Sequence, residues 1–190
     1  ASGSSFAEFM KKNIFQPLEM NRTSIFGRRY EKRQPNNYAY GYLFDQSRNK
    51  WVLPDSFPPT ASLVYSLDGI QGDGTVNSTV GDLLKWDRAL YSEKLVSKKE
   101  LEEAYTPPTL PDGKSTQYGY GVAIIKPKEM GTIIQHSGGW PGYATYLERH
   151  IDNDKTIIIL QNNGMKLVSV PEIRKILYGI KKETKTKMNV

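Results

Sequence analysis

The chain has 190 residues, 38% of them hydrophobic and 24% charged, with a formal net charge of +6 and no cysteine. That composition is globular, fits one domain or one lobe of a larger one, and excludes disulfides, thiolate nucleophiles and cysteine metal sites. No apolar run approaches the ~20 residues of a membrane span, and Ala1-Ser2-Gly3-Ser4-Ser5 has no secretory-signal pattern.

Ser5 with Glu8 forms a capping-box pattern, and Phe6, Phe9, Met10 and Ile14 recur at helical spacing. They predict a helix over about 5–14 that Pro17 stops, with Leu18 and Met20 in a core. Residues 21–37 read as loop. Tyr38, Tyr40 and Tyr42 alternate and predict a strand. Residues 54–77 carry three prolines and several glycines and are expected to form a long irregular segment. Ser78 or Thr79 then caps a helix over about 79–91, with Leu83, Trp86 and Leu90 on one face. Ser97 and Glu100 make a second capping box, opening a short helix that ends before Pro107-Pro108. These two helices form a small insert over about 75–110.

The pattern changes at Tyr118. Strands are expected at 118–125, 132–136, 143–150 and 156–161, with a turn at Asp152–Lys155. Connections this short demand antiparallel neighbours, so one sheet runs over about 117–161. A terminal helix over about 170–182 is expected to bury Ile173, Ile176, Leu177 and Ile180. The class is α+β: an antiparallel sheet flanked by N- and C-terminal helices, with a small helical insert.

Residues 135–143, Gln-His-Ser-Gly-Gly-Trp-Pro-Gly-Tyr, combine a titratable ring, a hydroxyl and main chain without Cβ bulk. Glycine lets a ligand approach the backbone, so that N–H groups can meet an anionic oxygen. The same residues would also serve as an ordinary hairpin with a bulge. Trp140 and Tyr143 are candidates to wall a cleft. Asp73, between two glycines, reads as a turn former, and His150, beside a turn, as a solvated residue with no functional role. With two histidines and no His-Glu-x-x-His pattern, no metal site is expected. Arg28, Arg29, Lys32 and Arg33, and the run Lys181–Lys187, read as a solvated loop and terminus. No phosphate loop or nucleic-acid signature accompanies them, so no nucleic-acid partner is expected.

Four stretches in order resemble one family. They are Phe6-Ala-Glu-Phe-Met through Ile14-Phe-Gln-Pro-Leu-Glu-Met to Thr23; Gly72-Asp-Gly-Thr-Val-Asn-Ser-Thr-Val-Gly-Asp-Leu-Leu-Lys-Trp; Tyr118-Gly-Tyr-Gly-Val; and His136-Ser-Gly-Gly-Trp-Pro-Gly-Tyr. Together they look like the serine β-lactamase and penicillin-binding-protein-like hydrolases, in the branch containing the class C β-lactamases. That family uses Ser-x-x-Lys, then Tyr-x-Asn or Ser-x-Asn, then a third motif on an edge strand, commonly Lys-Thr-Gly. The resemblance puts His136 at the lysine position, Ser137 at the hydroxyl position and Gly138 where the strand stays open to substrate. It makes the N–H of Gly139 an oxyanion donor, and His136 and Gly139 are the catalytic candidates. Ser137, Gly138 and Tyr143 are the substrate-binding ones.

The first two motifs are expected to lie in a missing amino-terminal half, and this chain to hold no nucleophile pair. Ser97, for example, is followed at the third position by Glu100. The chain is then the carboxy-terminal portion of one domain, inactive alone. The family implies an acyl-enzyme on D-alanyl peptide, β-lactam or ester substrates, with no metal and no organic cofactor. It also implies a place outside the cytoplasm, in the periplasm or cell envelope. The alternative is a non-catalytic module of the same fold that holds peptidoglycan stem peptides.

Overall fold

A computed structural model describes residues 2–27, 36–67, 69–164 and 167–180. The basic clusters at 28–33 and 181–187 lie outside the described residues.

The amino-terminal helix forms as the capping box dictates. Ser5 Oγ accepts from the Glu8 N–H and the Glu8 carboxylate reaches back to the Ser5 N–H, satisfying two orphan donors. Helix α1 (Phe6–Met10) runs straight into a π-helical turn, Lys11–Phe15. Phe15, Leu18 and Met20 are buried with Ala89, and Trp86 packs on them. The amino-terminal segment is thus seated on helix α3 (Val80–Ala89) of the insert. Thr79 caps α3 by accepting from the Asp82 N–H, and Ser97 caps α4 (Lys98–Ala104) with a complete capping box.

The tyrosine run is not a strand. Pairing begins only at β2 (Leu43–Asp45), whose partner is β3 (Lys50–Val52), while Tyr42 makes an isolated parallel bridge to Asn163. The alternation reflects packing of a loop against the end of the main sheet: Tyr38 meets Phe26 and Tyr40 edge-on. Nor is the first part of 54–77 irregular, although 69–75 is turn and coil as expected. Pro54 opens a 3₁₀ turn and Pro58 opens helix α2 (Pro58–Leu67). Proline is tolerated in a first turn, where its missing N–H has no intrahelical partner to lose. The prolines that suggested a loop mark helix starts.

A short pair, β1 (Ser24–Ile25) with β4 (Val76–Asn77), ties the amino-terminal segment to the entry of α3. The main sheet is a four-stranded antiparallel meander of β5 (Ala123–Ile125), β6 (Ile133–Trp140), β7 (Tyr143–His150) and β8 (Lys155–Gln161). Ile133 and Ile134 are sealed in its centre. The β6–β7 hairpin closes through Pro141-Gly142, with Gly142 at φ 87°, a turn conformation that favours glycine.

Helix α5 (Val170–Leu177) covers one face. Val170 is buried and Ile173 and Leu177 are half-buried, but Ile176 is 81% exposed and Ile180 is also exposed, against the expectation that all four isoleucine and leucine positions are buried. What α5 brings to the sheet is Arg174, whose guanidinium grips Glu148 at 3.0 Å through Nε.

Candidate active site

Strand β5 pairs only with Ile133–Gln135 of β6, Ala123 standing opposite Gln135. The Ile124 N–H is turned away from β6, to the Gln117 carbonyl at 2.9 Å. Ala123 and Ile125 therefore face β6, and the outward backbone groups of β6 on this side belong to Ile133 and Gln135. The same alternation makes Ser137 and Gly139 the next to point that way, beyond the end of β5. Their N–H and C=O groups face an open border with no strand partner among the described residues.

That border opens on a cavity of about 960 Å³. His136, Ser137, Gly138, Gly139, Trp140 and Tyr143 all line it, so the structure brings every site residue proposed from sequence to one place. His136 through Gly139 are exposed, and a β-carbon on Gly139 would meet nothing within 4 Å. Gly138 is different: a β-carbon there would run into Thr145 Oγ1 on β7. Its missing side chain is a packing requirement, whereas that of Gly139 keeps the approach clear. The strand period of two sends the Ser137 Cβ to the opposite face from His136.

The walls come from three other segments. Gly74 lies flat against the Trp140 ring, where a β-carbon would be 2.9 Å from Cζ3, so the Gly72-Asp73-Gly74 turn can close one side. Asp73, read from sequence as a turn former, is in that turn and also lines the cavity. Tyr143 donates its hydroxyl to the Ala39 carbonyl at 2.8 Å and lies 3.1 Å from the Tyr38 hydroxyl, which fixes the 38–41 loop as a rim. Gly41 and Gly142 allow that loop to sit directly on the hairpin turn, since a β-carbon on either would collide with the other's backbone.

The far wall carries a polar cluster that sequence reasoning missed. Buried Asp82 accepts from the Arg22 N–H at 2.8 Å and the Thr23 hydroxyl at 2.9 Å, and Thr23 reaches Ser78 at 2.8 Å. Burial works to raise the Asp82 carboxyl, but these hydrogen bonds and Lys85 outweigh it and hold the group below the ordinary carboxylate range. Its position as third helical residue after Thr79 was the available signal.

His136 Nε2 lies 3.1 Å from the hydroxyl of Tyr118, a residue not singled out for the site from sequence. His150, by contrast, is not solvated. It is fully buried, its Nε2 2.8 Å from Glu148 Oε1 and its Nδ1 2.8 Å from the Tyr178 hydroxyl. Strand β7 turns it inward beneath α5, so the nearby turn says nothing about its exposure.

A Ser-x-x-Lys spacing does occur, at Ser47-Arg48-Asn49-Lys50, against the expectation that the chain has none; its first three residues also read Ser-x-Asn. It lies in the β2–β3 turn, not on a helix. Ser47 Oγ donates to Asp45 Oδ1 at 2.6 Å, and neither Ser47 nor Lys50 lines the cavity. The letters match, but the pair cannot serve a carbonyl held at β6. Among the described residues no group of three or more His, Cys, Asp or Glu could hold a metal ion. No helix of the described residues is long and apolar enough to cross a membrane.

The sequence model of the Beta-lactamase family matches residues 1–173. Penicillin-binding protein 4* of Bacillus subtilis (strain 168) is 47% identical over 162 residues, which are 85% of this chain and 36% of that protein. The octameric penicillin-binding protein homologue from Pyrococcus abyssi superposes with a TM-score of 0.69 at 28% identity, over 94% of this chain and 39% of that one. The penicillin-binding protein from Bacillus halodurans gives a TM-score of 0.70 at 20% identity, over 93% and 51%. The chain thus spans between about a third and a half of the length of these proteins.

Proposed function

This chain belongs to the Beta-lactamase family of serine hydrolases, and on that premise we propose that it supplies the substrate-strand side of an acyl-transfer site. The observation that carries the reading is the open border of β6, where the Ser137 and Gly139 backbone groups face the cavity beyond the end of β5. A substrate laid along that border pairs with the strand as an added edge. The Gly139 N–H then stands where a developing oxyanion needs a donor, the kind of preorganised stabilisation that counts most in acyl transfer. His136, at the cavity wall, orients the proton-transfer network or meets a substrate carboxylate. Ser137 assists at the edge, and Tyr143 shapes the rim.

The attacking serine and its lysine come from outside these 190 residues, because the one Ser-x-x-Lys spacing is held in a turn away from the cavity. The chain is then the carboxy-terminal portion of one hydrolase domain and is inactive by itself. Substrates of the complete site are D-alanyl peptides, β-lactams or esters, met outside the cytoplasm. The second reading is a peptidoglycan-stem binding module, favoured by the same lack of a nucleophile pair at the cavity among the described residues.

Nitrocefin and a p-nitrophenyl ester test the proposal. The chain alone turns over neither; turnover would overturn the half-site reading. Joined to an amino-terminal half carrying Ser-x-x-Lys, it forms an acyl-enzyme detectable as a mass increase on the serine. Stem-peptide binding without acylation of that joined protein would favour the binding module instead.

A further inference from the structure

We propose that Tyr118 is a positioning residue for His136: its phenol donates to Nε2 and holds the imidazole proton on Nδ1. The two groups are 3.1 Å apart, with the rings edge-on at 6.4 Å between centroids. A ring nitrogen's proton is placed by the hydrogen bond that the other nitrogen makes. A phenol is a better donor than acceptor, and a neutral imidazole nitrogen is a strong acceptor, so O–H···N is the favoured sense. His136 has no second hydrogen-bond partner among the described residues, which leaves Nδ1–H as the ring's free donor beside the cavity it lines. Tyr118 is not part of the cavity lining.

Its own position is built independently of the histidine. The Tyr118 N–H bonds Thr116 Oγ1 at 3.2 Å, and the Thr116 hydroxyl donates to the Tyr118 carbonyl at 3.0 Å. Gly119 closes on Val122 at 2.8 Å, and a β-carbon on it would collide with the Ala104 carbonyl at the end of α4. Tyr120 donates its N–H to that same carbonyl at 2.9 Å and its hydroxyl to Glu103 at 2.9 Å. Gln117 adopts φ 56°, a left-handed conformation costly for a residue with a side chain. A loop pinned at each residue from 117 to 120 presents one hydroxyl to one imidazole. The consequence for the site is that neutral His136 offers the cleft a donor, suited to a substrate carboxylate or carbonyl oxygen. That consequence rests on the acyl-transfer reading; the tautomer itself does not.

The test is nitrogen-15 NMR of the imidazole rings, about two pH units above the ordinary histidine value. The chain has two histidines, and they are placed oppositely. His150 lies with Nε2 against the Glu148 carboxylate, which can only accept, so its proton on Nε2 serves as an internal reference. His136 is expected mainly as Nδ1–H. In Tyr118→Phe it returns to mainly Nε2–H, the form free imidazole side chains favour in water, with His150 unmoved. His136 found as Nε2–H in the unaltered chain, or a tautomer unchanged in Y118F, overturns the proposal. A change of His150 together with His136 overturns it as well, since that marks general loosening. Failure of the joined protein to hydrolyse substrate would count against the acyl-transfer reading alone, because the tautomer is read without substrate.

Discussion

Asp87 of α3 and Arg149 of β7 form an ion pair sealed from water, Nε to Oδ1 at 2.5 Å, with side-chain exposures of 0% and 2%. The guanidinium also reaches the Tyr105 hydroxyl and stacks on the Tyr91 ring, 4.6 Å from its centroid. The carboxylate is shared with Arg88 and Thr156. This pair fastens the helical insert to the back of the strand whose other end supports the site. Breaking a buried pair from one side leaves a charge without its partner, which costs about 3–5 kcal/mol. Asp87→Ala should therefore lower the urea midpoint by that equivalent at an unchanged slope. Adding Arg149→Met should recover part of the loss. No recovery in the double variant would mean that the cost is packing, not charge.

Gly138 and Thr145 face each other across the β6–β7 ladder, and a β-carbon at 138 would fall on Thr145 Oγ1. A β-branched side chain has little χ1 freedom with which to yield. Gly138→Ala should then cost about 1–3 kcal/mol, the usual range for overpacking. Thr145→Ala in the same chain should relieve most of it, because the next nearest atom, Thr145 Cβ, is at 3.7 Å. Thermal denaturation of the two single variants and the double variant makes the cycle. Additive losses would show that the clash is not the cause.

Strands β6 to β8 and the capped helices were legible in the sequence because each rests on local rules, whereas the strand expected at 118–125 forms only over Ala123–Ile125, residues 117–120 being held as a loop against the end of α4. Two capping boxes form as written, and alternation with Pro141-Gly142 set the hairpin that carries His136 through Gly139. What escaped depended on contacts distant in sequence. The Tyr38–Tyr42 alternation mimics a strand but arises from a loop docked on residues 162–164, a pairing no window of 120 residues or fewer contains. His150 reads as solvated until α5 brings Arg174 to Glu148 and the residue that ends it, Tyr178, to the imidazole. Helix α5 shows the converse. Its spacing promised a wholly buried apolar face, yet Ile176 is among the most exposed apolar side chains, and Arg174 adds a polar anchor to the partly buried Ile173 and Leu177.

Gly139 offers the sharpest test of the acyl-transfer reading. Its N–H lies on the unpaired border of β6, where loss of a donor breaks no ladder bond and proline is tolerated. Gly139→Pro should therefore keep the fold, judged by far-ultraviolet circular dichroism. In the protein completed with its nucleophile it should lower kcat for a p-nitrophenyl ester about 10²–10³-fold, the effect of removing one oxyanion donor. Gly139→Ala, which keeps the N–H and meets open space, should lose far less. Equal losses in the two variants would remove the N–H from the mechanism.

Glu148 is one of the buried carboxylates expected to make the fold sensitive to acid. Its carboxylate is buried, which alone would raise it, but hydrogen bonds from Arg174, Tyr146 and His150 prevail and hold it below the ordinary range. The same contact pushes the Tyr146 hydroxyl up, first through burial and then through the carboxylate itself. A carboxyl depressed in the folded state contributes stability that is fully present above its unfolded value, about 4.3, and is lost as pH falls through the folded value. Urea stability should accordingly hold from neutrality to about pH 5 and decline below it. Glu148→Gln, which leaves Arg174 without its anion, should be less stable at neutral pH by about 3–5 kcal/mol. That gap should narrow as pH drops below about 4, because protonation strips the unaltered protein of the same charge. A gap that stays constant down to the acid limit would show that Glu148 acts through shape alone.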